Sequence, residues 1–252
     1  MPRPLIVRLA SCPLRLLGPY GCEWAATPAL DRFAAGGIVF DSHFASGAIG
    51  HWSYAGKVVS FDEFDGDGDI VEWDPFAEWQ FPDDWTDELF ATLALEMADF
   101  DQAFESLLPR AAGRAIALTA RSGFPLGEHG VIGPGGSRLH DELVRIPLIL
   151  AYPDGRMAGD RVDGLTTPQA LREIEAGRFT EVESVLTWDP DESAIRTVDS
   201  CLILPHAGID RPTLLYDRPE DRFEVNDLSA RQPDRVAELA SRIAVARDTM
   251  PG

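Results

Sequence analysis

The sequence predicts an α/β fold in which a buried sheet is flanked by helices. Two short apolar runs, residues 115–119 and 148–152, are bounded by glycine and proline and are typical of buried strands. A long glycine-rich connection lies between them, the kind of loop in which functional residues concentrate. Residues 86–108 repeat apolar side chains at three- and four-residue steps, which predicts a long amphipathic helix packed on the sheet.

Composition narrows the class of protein. The 252 residues are 45% hydrophobic and 25% charged, as in a globular protein with a sizeable core. The net charge of −20 argues against nucleic acid, anionic membrane and sulfated-polysaccharide partners, because a negative surface repels polyanions. No apolar run approaches the roughly 20 residues of a membrane span. Lys57 is the only lysine beside many arginines, which indicates a GC-rich bacterial genome.

The cysteines favour a reducing compartment. Cys12, Cys22 and Cys201 are too few and too irregularly spaced for a disulfide framework or a zinc site. Residues 9–12 spell a bacterial lipoprotein box, but the apolar stretch before it is short and is broken by Arg8. We interpret the box as fortuitous, expect a first buried strand at residues 4–9, and expect a cytoplasmic protein.

Local signals define further elements. Thr27 as N-cap, Pro28 at the first helical position and a glycine pair at 36–37 predict a short helix, followed by a strand at 38–40. Residues 233–249 predict a final amphipathic helix.

Three segments carry a resemblance to a known family. Residues 126–130 read Leu-Gly-Glu-His-Gly, and residues 139–149 read Leu-His-Asp-Glu-Leu-Val-Arg-Ile-Pro-Leu-Ile. Together with residues 17–40, they resemble the sulfatase family of the alkaline-phosphatase superfamily. The resemblance implies a truncated sulfatase-like α/β core over residues 1–180. It also implies a C-terminal subdomain over residues 181–252, with a small antiparallel sheet and the terminal helix.

The resemblance places the family's catalytic groups on residues that cannot replace them. The acidic metal-binding pair falls on Ala10 and Ser11, and the Asp-His pair falls on Arg121 and Ser122. Ser46 lies near the nucleophile position without the proline and arginine of that motif. We therefore predict that the family's calcium and formylglycine are absent. The vestigial pocket comprises Ala10, Ser11, Ser46, His51, Arg121, Ser122 and His129.

Two of these residues support more specific hypotheses. His129 belongs to the retained Gly-Glu-His-Gly loop, and we expect it to orient this loop by hydrogen bonding rather than to act in catalysis. Arg121 is hypothesised to occupy the space of the missing cation, neutralised by a retained acid such as Glu128, since an unpaired buried arginine would be costly.

Alternating carboxylates at Asp65, Asp67 and Asp69 are calcium candidates, because such a run can wrap a hard cation. The EF-hand pattern fails, since Ile70 and Phe76 stand at the glycine and closing-acid positions. A solvated turn is the favoured interpretation.

The sequence thus predicts a pseudoenzyme of sulfatase type, a non-catalytic binding or partner subunit. Units missing relative to the family would expose sheet edge and apolar surface, which favours a homo- or hetero-oligomer. One alternative is an active hydrolase of sulfate or phosphate esters that uses the carboxylates at 65–69 and His51. Another is a decayed reading frame that folds poorly, which the intact caps and apolar stripes oppose.

Overall fold

The computed structural model describes residues 3–50, 56–76, 86–133 and 138–248. Its described part contains two sheets, each covered by helices. The strands are β1 Leu5–Cys12, β2 Ile38–His43, β3 Gly47–Ala48, β4 Val58–Ser60, β5 Ile70–Trp73, β6 Ile116–Gly123, β7 Leu148–Ala151, β8 Asp160–Thr166, β9 Val185–Trp188, β10 Glu192–Arg196, β11 Ser200–Pro205 and β12 Leu214–Asp217. The α-helices are α1 Pro28–Ala35, α2 Asp87–Leu107, α3 Asp141–Val144 and α4 Pro233–Asp248.

The larger sheet has seven described strands in the order β4-β5-β1-β6-β7-β2-β8. Strand β7 pairs antiparallel with both its neighbours, and the other described pairs are parallel. The carboxyl ends of β5, β1 and β6 therefore meet at one edge, where open α/β sheets place their sites. Continuous apolar runs such as Leu5–Val7 are fully buried, as expected of strands covered on both faces.

Helix α2 packs on the sheet through the predicted stripe. Leu93, Met97, Phe100 and Phe104 are fully buried, and Thr86 caps the helix by accepting a hydrogen bond from the Leu89 amide at 3.1 Å. Phe90, one of the apolar residues in the predicted helix, lies partly exposed and stacks on Trp24, with 3.5 Å between the ring centroids.

Helix α1 receives its cap from a distant part of the chain. Thr27 is the N-cap residue, as predicted, but its side chain does not cap the helix, because its hydroxyl accepts a hydrogen bond from the Gly18 amide instead. The carboxylate of Asp101, buried on α2, accepts hydrogen bonds from the amides of Ala29 at 3.0 Å and Leu30 at 2.8 Å. The cap therefore fastens α1 to α2.

The smaller sheet follows the order β12-β11-β10-β9-β3 among the described strands. Its pairings are antiparallel except for β3, which comes from the N-terminal part of the chain and pairs parallel with β9. Leu239 and Ile243 of α4 are buried against Ile195 and Leu202. The antiparallel sheet and terminal helix expected near the C-terminus are present.

Other predicted elements differ in length or type. Strand β1 runs three residues beyond the predicted strand and brings Ala10 and Ser11 into the sheet. Residues Pro168–Ala176 form a 3-10 helix that follows β8. Among the described helices, none has the length and apolar character needed to cross a bilayer.

Candidate functional site

The sheet brings together four of the predicted site residues. Strands β1 and β6 are paired so that Ser11 lies opposite Ser122, with Ala10 and Arg121 one position earlier. The Ser122 hydroxyl lies 3.5 Å from the carbonyl oxygen of Ala10. The positions that carry metal ligands in the resembled family therefore converge at the carboxyl edge.

Arg121 forms an ion pair with Glu72 at the end of β5. Its Nη2 lies 2.5 Å from Glu72 Oε1, and the same oxygen accepts hydrogen bonds from Nε and Nη2 of Arg8. Burial opposes ionisation of Glu72, but the two guanidinium groups hold the pKa of this carboxyl below its ordinary value. The proposed partner Glu128 was wrong, because Glu128 pairs with Arg15 at 3.2 Å and accepts a hydrogen bond from the Leu126 amide.

These residues do not fit a divalent cation. The convergent positions offer two hydroxyls, a methyl group and a guanidinium, while the nearby carboxylate of Glu72 already faces Arg8 and Arg121. Hard cations require carboxylate and carbonyl oxygens, and a cation here would be repelled by two positive charges. Across the described ranges, no group of three or more His, Cys, Asp or Glu side chains is placed to hold a metal ion.

The carboxylates of the calcium hypothesis lie at the opposite edge of the sheet. Asp69 directly precedes β5 and lies beside the start of β1, about 20 Å along the strand from Ser11. Its carboxylate pairs with Arg3 at 3.3 Å, and that of Asp67 pairs with Lys57 at 2.8 Å. The Asp65 carboxylate accepts a hydrogen bond from the Asp67 amide.

Ser46 is not brought to the Arg121 edge by any contact of the described residues. Ser46 directly precedes β3 and lines an open groove of about 650 Å³ between the smaller sheet and α4, together with Ser184 and Arg242. His51 lies outside the described residues.

His129 makes two hydrogen bonds from the glycine-rich loop. Its Nδ1 lies 2.6 Å from Glu142 Oε1 on α3, and its Nε2 lies 3.0 Å from the carbonyl oxygen of Glu224. Its ring stacks on that of His140, with 3.6 Å between centroids. The hydrogen bond to Glu142 raises the pKa of His129 to about 9, against the opposing effect of burial. A protonated ring donates to both acceptors and fixes the loop.

Behind this loop lies a buried charge network that the sequence did not reveal. The carboxylate of Glu224, fully buried, accepts hydrogen bonds from His140, from the Asp141 amide and from Arg196. Asp141 in turn accepts from Arg196 at 3.0 Å and from Arg218. Burial opposes ionisation of Glu224, and the neighbouring Arg196 charge nevertheless lowers its pKa. The network joins α3 to β10 and to the segment after β12.

A cavity of about 330 Å³ opens beside the network at the carboxyl edge. Residues that follow β1 and β6, Leu14, Phe124 and Leu126, form apolar walls, together with Tyr20 and Pro219. The Tyr20 hydroxyl is held between the amide and carbonyl of Leu148, and burial raises its pKa. The charged lining residues are Arg15, Glu128, Asp141, Glu142, Arg145 and Arg222.

The structure resembles solved structures of one fold family. A 2-O GAG sulfatase superposes with a TM-score of 0.70 at 12% identity, over 98% of this chain and 91% of the other. The phosphonate monoester hydrolase of Agrobacterium radiobacter gives 0.66 at 12% identity, over 98% and 96% of the two chains. The fold is that of the sulfatases. A third structure of this kind, bound to its substrate D-glucosamine-2-N,6-O-disulfate, gives 0.67 at 15% identity, over 98% of both chains.

This fold confirms the resemblance to sulfatases drawn from the loop and strand motifs. No family model matches the chain, and no curated protein sequence matches it. Identities of 12–15% concern the fold, so any chemistry must be argued from the residues present. Sequence reasoning missed Glu72, Arg145 and Arg222 at this edge. The one available signal was Arg8, a charge inside an otherwise apolar strand.

Proposed function

We propose that this sulfatase-fold protein is a non-catalytic binding or partner subunit. One observation carries the proposal: where the resembled family holds a cation, Arg121 and Arg8 share the carboxylate of Glu72. A salt-bridged guanidinium supplies fixed positive charge but no open coordination position for a water or ester oxygen. It therefore cannot generate a nucleophile as a bound metal does.

The neighbouring hydroxyl groups lack the means of activation. Ser11 is buried, and no described histidine or carboxylate hydrogen-bonds to Ser11 or Ser122. A serine without an adjacent base or metal remains protonated and is a poor nucleophile. These features support a role in binding, and with it we propose the cytoplasmic location and self-association that the sequence predicts.

The second candidate is a hydrolase of sulfate or phosphate esters with relocated residues. It is favoured by the activities named for the neighbours and by a protonated His129 beside the cavity, which is a form suited to protonating a leaving group. Both ring nitrogens of His129 already have protein partners, however. The carboxylates at Asp65, Asp67 and Asp69 face the opposite edge.

The test combines metal analysis with turnover. The purified protein is analysed for bound metals and assayed with aryl sulfate, phosphate and phosphonate esters, before and after equilibration with calcium, magnesium, manganese and zinc. We expect no stoichiometric metal and no turnover. Turnover that survives repurification and disappears in a Ser11→Ala, Ser122→Ala double variant, or in His129→Gln, would contradict the proposal. Ser193→Ala serves as a matched hydroxyl control.

A further inference from the structure

The cavity beside the buried network lies in a region with more positive than negative charge. Its described lining carries three guanidinium groups and three carboxylates, and the charged side-chain groups that bond directly to the lining bring the totals to six cationic groups and four carboxylates. The cationic groups are Arg15, Arg145, Arg196, Arg218, Arg222 and protonated His129. The carboxylates are Glu128, Asp141, Glu142 and Glu224. Such an excess stands out in a chain whose net charge is −20.

The carboxylates around the cavity are all engaged by protein groups. Glu128 pairs with Arg15, and Glu142 with His129. Asp141 accepts hydrogen bonds from Arg196 and Arg218. The acids therefore offer little to a ligand, since binding one would first require breaking an existing pair.

Two lining arginines, Arg145 and Arg222, form no ion pair with a described residue, although the charges of Asp141 and Asp41 act on Arg145 from a greater distance. Arg145 is half-buried, and its Nε and Nη2 donate to the backbone oxygen of Asp41, at 3.0 Å for Nε. The Asp41 carboxylate is itself paired with Arg161. No carboxylate of the described residues lies within 4.0 Å of the guanidinium of Arg145 or of Arg222. Burial lowers the pKa of Arg145, a cost that an anionic ligand would offset.

The apolar lining residues and the cavity volume indicate the size and the apolar character of the ligand. Leu14, Phe124 and Leu126 provide apolar contact, and the volume of about 330 Å³ suits a small organic molecule. Phe223 contacts both Arg15 and Arg222, whose guanidinium carbons are 4.3 and 4.9 Å from its ring centroid. These contacts hold the arginines beside the cavity.

We propose that this cavity binds a small organic anion. Its oxyanion group, a carboxylate, sulfate or phosphate, lies against Arg145 and Arg222, and its apolar body lies against Leu14, Phe124 and Leu126. The ligand is held by guanidinium groups without a metal ion. This inference rests on the proposed binding function and names the ligand class of that function.

The experiment measures binding of benzoate, inorganic phosphate and inorganic sulfate by calorimetry and thermal melting, at millimolar concentration and constant ionic strength. Benzyl alcohol is the neutral counterpart of benzoate. We expect at least one anion to bind and to raise the melting temperature, and benzyl alcohol to do neither. If benzoate binds most tightly, the apolar lining residues contribute to binding. If phosphate or sulfate binds most tightly, the preferred anionic group is a tetrahedral oxyanion.

Two variants and a control localise the site. Arg222→Gln removes an exposed arginine that forms no ion pair with a described residue, and it is expected to weaken anion binding about tenfold, the effect of losing one charge-assisted hydrogen bond. Arg145→Gln is expected to weaken it further, in variants that still melt cooperatively. Arg242→Gln, which removes an arginine lining the other groove, is the matched control and should bind as wild type.

The inference is overturned if no anion binds, or if Arg222→Gln and Arg242→Gln bind equally well. Ester turnover is followed in the same samples. Product release would overturn the proposed non-catalytic function whatever the binding result, so the two failures are distinguishable.

Discussion

A groove and a cavity open at the carboxyl edge of the larger sheet, and they differ in whether their arginines form ion pairs. The groove of about 450 Å³ at Ala10 contains Arg121, which forms an ion pair with Glu72. The cavity at Arg145 is surrounded by an excess of cationic groups, and its acids are already paired. Arg121 is neutralised by a neighbouring carboxylate where a cation would bind in the resembled family. Arg145 and Arg222, at the neighbouring cavity, form no ion pair with a described residue.

The largest expected loss of unfolding free energy comes from breaking the buried Glu224 network beside the cavity. Glu224→Ala leaves Arg196, which is fully buried, without one of its two carboxylates. Breaking a buried pair in this way costs about 3–5 kcal/mol of unfolding free energy. Urea denaturation measures it. Glu238→Ala, which removes an exposed partner of Arg235, is the control and should cost less than about 1 kcal/mol. Equal losses in the two variants would refute a structural role for the network.

A smaller loss is expected at the Arg121 groove. Glu72→Gln removes the charge that neutralises both Arg8, which is buried, and Arg121. We expect a loss of about 2–3 kcal/mol, because Glu72 is only partly buried. Arg121→Ala leaves the pair of Glu72 with Arg8 intact and should cost less than about 1 kcal/mol. If Arg121→Ala lowers the unfolding free energy as much as Glu72→Gln does, the ion pair of Arg121 stabilises the fold more than expected for a partly exposed side chain.

The pH dependence of stability tests the loop beside the cavity. The pKa of His129 is raised from 6.5 to about 9, so the folded state holds this proton more tightly than the unfolded state. Its contribution is fully present below pH 6.5 and is lost as the pH rises through about 9. We expect unfolding free energy to fall by about 1–3 kcal/mol over this window. The profile of His129→Gln should be flatter there, and an unchanged slope would contradict the assignment.

The smallest effect is expected at the opposite edge of the sheet. Asp67 and Asp69 are paired with Lys57 and Arg3, so added calcium has to displace existing ion pairs. We expect calcium to leave the melting temperature unchanged, both in the wild-type protein and in Asp67→Asn. A rise confined to the wild type would instead identify a calcium site at this turn.

The fold was predictable because its signals are local. Apolar runs marked β1, β6 and β7, and a periodic stripe marked α2. The partner of Arg121 was not predictable, because Glu72 and Glu128 are both acids close to the edge and only the pairing of β5 with β1 decides between them. The Glu224 network was missed for the same reason. Its members come from three segments, around Asp141, Arg196 and Glu224, that lie tens of residues apart, and none carries a sequence signal of burial.

The cap of α1 has a consequence for the order of folding. At eight residues the helix is too short to persist alone, and the acceptor for its first amides, Asp101, lies 72 residues after Ala29. During synthesis the first helix therefore stays incomplete until α2 has emerged from the ribosome. Amide exchange at Ala29 and Leu30 will then report the docking of α2, and these two amides will open together with the core of the sheet rather than with their own helix.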